Sequence, residues 1–97
     1  MKDIKIGTPV VVTTKYRGVF YGRFDGLFGG EDISLKGARN CIWWCKEVGG
    51  FIGLAKNGPV GNSTVGEPCD MPLLKAVTSI LVCTKEAAEL WESKGAC

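Results

Sequence analysis

Two tryptophans stand side by side at Trp43 and Trp44, and a chain of 97 residues must find room for both rings. Neighbouring side chains of an extended strand point to opposite faces. If Cys41–Lys46 is a strand, one ring fills a core and the other meets a second layer, a partner subunit or a ligand. Tryptophan is usually buried for its apolar area. The pair therefore demands cover on both faces of whatever sheet carries it.

The strongest strand signal is Val10–Thr14, β-branched at every position. Lys15–Gly18 reads as a turn and Val19–Phe24 as the returning strand of a hairpin. Asp25–Gly30 holds three glycines in six residues and reads as a loop. Ile33–Lys36 alternates apolar and polar as a third strand, Cys41–Lys46 is the fourth, and the short apolar run Phe51–Ala55 a candidate fifth. Lys56–Pro72 carries three prolines and three glycines and reads as one long loop without regular structure. Ala76–Cys83 is the last strand. Thr84 is placed to cap a helix over Lys85–Lys94, with Ala87, Ala88, Leu90 and Trp91 on one face and Gly95 beyond its end. So short a helix must dock, and Trp91 is its anchor. The expected fold is one mainly β (α+β) domain over residues 1–97, a small, strongly bent antiparallel sheet or barrel with a single C-terminal helix.

The five cysteines are odd in number and there is no histidine. The first residues lack the apolar core of a signal peptide, and no apolar run is long enough to span a bilayer. These features predict a cytoplasmic protein with reduced thiols, no metal and no cofactor. Without histidine the commonest general bases and triads are missing, and no phosphate-cradling glycine motif or zinc-binding helix motif appears. Cys41, behind Arg39 and Asn40, is the one candidate nucleophile. The expectation is that the protein is not an enzyme.

Binding has more to work with. Net charge is only +2, but Ile4–Phe24 contains Lys5, Lys15, Arg17 and Arg23 with no acid. Arg39 can fork onto a phosphate or carboxylate, Asn40 offers a donor and an acceptor to a base edge, and a tryptophan face can stack on a base. Tyr16 and Arg17 repeat the aromatic–cation combination in the first turn. The candidate ligand contacts are thus Tyr16, Arg17, Arg39, Asn40 and Trp44, with Lys56 of the long loop as a lid. The structural alternative is that Arg39-Asn40 turns the chain between strands while both tryptophans serve core or interface.

The chain resembles a family of small phage and prophage proteins. The resemblance is carried by Val11-Val-Thr-Thr-Lys-Tyr-Arg-Gly-Val-Phe20 with Gly22, Ala38-Arg-Asn-Cys-Ile-Trp-Trp44, Gly50-Phe-Ile-Gly-Leu-Ala55 with Gly58-Pro59, and Val77-Thr78 with Cys83-Thr-Lys-Glu-Ala87 before Trp91. In that family Trp43 is often tyrosine and Cys45 often serine, which speaks against a reactive Cys45. A shorter likeness, around Ile33-Ser-Leu-Lys-Gly-Ala38, is to the opening of an Sm-like barrel. The phage resemblance implies an accessory protein in an infected or lysogenic bacterial host. Such proteins bind host proteins, nucleic acid or nucleotide immune signals, the last typically as homo-oligomers. The leading expectation is a homo-oligomer that binds and sequesters an anionic nucleotide-like small molecule. The alternatives are a structural or protein-interaction oligomer and a single-stranded nucleic-acid binder.

Overall fold

The computed structural model describes residues 4–15, 18–28 and 32–95. Strands β1 (Pro9–Thr14), β2 (Val19–Phe28) and β3 (Asp32–Trp43) precede a 3-10 turn (Lys46–Val48) and helix α1 (Gly50–Lys56). Strands β4 (Thr64–Val65), β5 (Cys69–Leu74) and β6 (Val77–Val82) follow, then helix α2 (Lys85–Ser93). Every pairing is antiparallel. β1 lies between β2 and β6, β2 pairs with β3, and the far side of β3 takes β5 along its first half and β4 at its end.

This order forces the sheet to curl. β5 and β6 sit at opposite edges, yet only Lys75 and Ala76 separate them. A flat sheet would hold those edges four strand spacings apart, about 19 Å. Three Cα steps reach at most about 11 Å. Bulges supply part of the bend. Between the Tyr21↔Arg39 and Arg23↔Lys36 pairs β3 carries an extra residue, and between Phe24↔Leu35 and Leu27↔Ile33 β2 does. Gly37 and Gly26, with φ of 58° and 123°, fall at these points, where side-chain-bearing residues would be strained. Among the described residues β5 and β6 are not paired with each other. Of the two forms expected, the bent open sheet is the one found.

The curl gives the sheet two apolar faces. Val10, Val12, Phe24, Ile33, Leu35 and Ala38 fill the concave side, flanked by Met71, Leu74, Val77 and Ile80. Val11, Val19, Tyr21 and Val65 point the other way and pack against Val48, Leu54, Ala55, Ala87, Ala88 and Trp91 of the helical layer. The three consecutive valines of β1 are fully buried on alternating sides. α2 is capped as its sequence suggests. Thr84 Oγ1 accepts from Ala87 N at 3.1 Å and donates to Lys56 O at 2.6 Å. Trp91 is wholly buried, and its indole N–H donates to Leu54 O at 3.0 Å.

Five segments differ from their sequence reading. Ile33–Lys36 and Cys41–Lys46 belong to one twelve-residue strand, because Gly37 is absorbed as a bulge instead of breaking it. That strand ends at Trp43, so Trp44 and Cys45 lie beyond it. Asp25–Gly30 was expected as a loop, but β2 runs on through Phe28. Phe51–Ala55 is helical, entered through the left-handed Gly49 and buried through Gly53, Leu54 and Ala55. Lys56–Pro72 contains β4 and the start of β5; among the described residues β5 is an edge strand, where a proline is tolerated.

α1 packs directly on the 3-10 turn. A Cβ on Gly53 would lie 1.7 Å from the Val48 carbonyl oxygen, so any side chain there must push helix and turn apart. Gly53→Ala is expected to destabilise the fold by about 3 kcal/mol despite alanine's higher helix propensity. Urea unfolding monitored by tryptophan fluorescence measures it, and an unchanged midpoint would contradict this packing.

Candidate functional site

The outer face of the sheet carries a polar row beneath α2. Register sets Val11 of β1 opposite Tyr21 of β2, and Tyr21 opposite Arg39 of β3. The Tyr21 ring stacks on Trp91 with centroids 5.2 Å apart and planes 10° from parallel. Its hydroxyl donates to the Glu92 carboxylate. Arg23, two residues along the same strand, forks onto that carboxylate with Nε–Oε2 at 2.7 Å and Nη2–Oε1 at 3.0 Å. Its Nη1 donates to Gly7 O at 3.1 Å. The Arg23 hydrogen bonds hold the Glu92 carboxyl below its usual range, opposed by partial burial. Burial, reinforced by Glu92, pushes the Tyr21 phenol well above its usual value.

Arg39 is 3% exposed. Its Nε donates to Gly66 O and its Nη1 to both Trp91 O and Lys94 O, each at 2.6 Å. One guanidinium thus ties β3 to the segment before β5 and to the carbonyl end of α2, where a cation also meets the negative pole of the helix. Lys94 reaches Gly61 O with its Nζ at 3.0 Å.

The other sequence candidates are dispersed. Asn40 has an exposed side chain, while its backbone carbonyl accepts from Gly66 N at 2.9 Å. Lys56 ends α1, exposed, and gives its carbonyl to Thr84. Trp44 is half-buried against the outer cluster, whereas Trp43 is 50% exposed. The two rings do divide, and it is Trp43 that faces solvent. Tyr16 and Arg17 lie outside the described residues. Of the described positions, Arg39 is committed beneath α2, and Asn40 and Lys56 are exposed on separate elements.

Sequence reasoning missed the Tyr21–Arg23–Glu92 network and the exposed apolar side chains Ile42, Phe51 and Ile52. Arg23 was visible as part of a basic stretch, but nothing local links it to a carboxylate 69 positions away. Cys41 and Cys83 lack activation. Burial pushes Cys41 up to about 11 and Cys83 up to about 12, so both are thiols at neutral pH and poor nucleophiles. Cys45 donates to Val60 O at 3.2 Å, and Cys69 is exposed. Among the described residues no group of three potential ligands could hold a metal ion, and no helix is long and apolar enough to cross a membrane.

Two outcomes follow from the network. Arg39→Ala strands three carbonyls and is expected to cost about 3 kcal/mol of stability, with Arg39→Lys recovering little because an ammonium cannot fork. Chemical denaturation of the three proteins measures this. For Glu92, the folded carboxyl binds its proton less readily than the unfolded one. Its stabilisation is thus complete above the ordinary carboxylate range and lost as pH falls through that range toward the depressed folded value. Because both partners are more than two-fifths exposed, the effect should stay below about 1 kcal/mol. Unfolding of wild type and Glu92→Gln from about pH 6 down to about pH 3 should show their difference shrinking with acidity.

A family model described as a domain of unknown function, DUF6948, matches residues 7–91. No curated protein and no solved structure matches the chain. The matched segment runs from the residues before β1 to Trp91, taking in every strand and the anchor of α2. The chain belongs to the DUF6948 family.

Proposed function

We propose that this chain is a non-enzymatic binding protein, an accessory protein of a phage or related mobile element, that holds and sequesters an anionic, base-containing small molecule such as a nucleotide immune signal. The observation that carries the reading is Trp43, a half-exposed indole at the end of β3. Asn40, three positions earlier on the same strand, is exposed, and Lys56, at the end of α1, is an exposed cation on a separate element. A flat aromatic face suits a base, an amide suits its edge, and an ammonium suits a phosphate. The binding role is favoured over catalysis by what the reactive groups do. Arg23, Glu92 and Tyr21 satisfy one another, and Cys41 and Cys83 are held as thiols by burial.

A second reading, a protein-contact module, is favoured by the apolar company of Trp43. Ile42, Phe51 and Ile52 are exposed within the same eleven-residue stretch of chain, and exposed apolar surface commonly marks contact sites.

Calorimetry against a panel of cyclic and linear nucleotides separates the two. Sequestration requires binding by the wild type. Trp43→Ala should weaken it by the ~1–3 kcal/mol of one base–aromatic stack and leave the melting temperature within a few degrees. A wild type that binds no nucleotide defeats the first reading and leaves the protein-contact module.

A further inference from the structure

The two edges of the curled sheet are built differently. β5 carries Asp70 and Pro72, and its Asp70 carboxylate accepts from Gly37 N at 2.9 Å and lies 3.7 Å from Lys36 Nζ. A charge and a proline are the usual devices that keep an edge strand from pairing with a neighbour. β6 has neither. Its six residues, Val77-Thr-Ser-Ile-Leu-Val82, hold no charge, no proline and no glycine. Among the described residues β6 pairs with β1 alone, and no strand is paired on its other side. Val82 is 58% exposed, and Val77, Ile80 and Leu81 are only partly covered.

We propose that the free edge of β6 pairs antiparallel with the β6 edge of a second copy, joining two curled sheets across a two-fold axis. The occupant follows from the contrast between the edges. An uncharged edge meets its own copy without like-charge repulsion, and a two-fold antiparallel arrangement presents each strand with the same β-branched partner. Because the β5 edge is guarded, pairing cannot propagate strand upon strand and closes at the dimer. The added strand covers Val82 and completes the cover of Val77 and Ile80 on the concave side. This surface is separate from the Trp43 region and stands whether or not a nucleotide binds.

Sedimentation equilibrium of the full chain tests the pairing. The wild type should run at twice its 10.4 kDa chain mass, and a Thr78→Lys/Val82→Lys double variant, changed at two exposed positions, at the single-chain mass with an unaltered far-UV spectrum. Hydrogen exchange of the wild type at high and low concentration should show protection of residues 77–82 that rises with concentration, and this readout holds even if the variant fails to fold. A wild type of single-chain mass, a dimer that survives both lysines, or a dimer lost instead on Trp43→Ala with exchange at 77–82 indifferent to concentration, would overturn the proposal.

Discussion

The Arg39 guanidinium is the contact on which the rest of the outer layer depends. α2 has nine residues, too few to persist in water by itself, and its position over the sheet is fixed at both ends. At the start, Thr84 caps it and ties it to the end of α1. At the finish, Arg39 takes up the Trp91 and Lys94 carbonyls. Trp91 then lies flat on Tyr21 and closes the outer core over Leu54. A buried cation is costly unless its donors are satisfied; here the carbonyl end of a helix, left without intrahelical partners, supplies the acceptors. Each group answers the other's desolvation.

What was legible in the sequence was what is decided locally. β1 announced itself by its β-branched run, and α2 by Thr84, its apolar face and Trp91. The bent antiparallel sheet followed from the count and shortness of the strands. What escaped was decided by contacts distant in sequence. Phe51–Ala55 looks like a strand by composition, and becomes a helix because Gly53 seats it against the Val48 carbonyl. The breakers of Lys56–Pro72 did not prevent β4 and β5, because each borrows its partner from the exposed side of β3. The tryptophan pair was legible in kind but not in assignment. β3 stops at Trp43, and the turn that follows directs Trp44 to the core. For Arg39 the residue type was read correctly as a fork, but its acceptors, 27 to 55 positions away, are backbone carbonyls.

Covering both faces of the sheet limits where contact with anything else can occur. The concave side is filled by its own valines, isoleucine, leucine and phenylalanine, and the convex side by the helical layer. Among the described residues, exposed apolar side chains lie on rim and edge: Trp43 at the end of β3, Phe51 and Ile52 on α1, Val82 on β6, and also Ile6, Leu27 and Leu73. Among the described residues, the groups with shifted proton affinity lie in the packing beneath α2 or around Cys41.

The same accounting changes the meaning of the basic N-terminal half. In sequence, Lys5, Lys15, Arg17 and Arg23 read as cations available to a polyanion, and Arg39 as a fork for a small anion. In the fold, Arg39 is buried against carbonyls and Arg23 is forked onto Glu92. A phosphate backbone is held by several free cations at once, each releasing counterions. Of the four stripe cations, Arg23 is engaged by Glu92, while Lys5 and Lys15 stay exposed. A small ligand with one or two charges has no such requirement. The proposed ligand would draw on one flat face and one amide, which Trp43 and Asn40 leave exposed on β3.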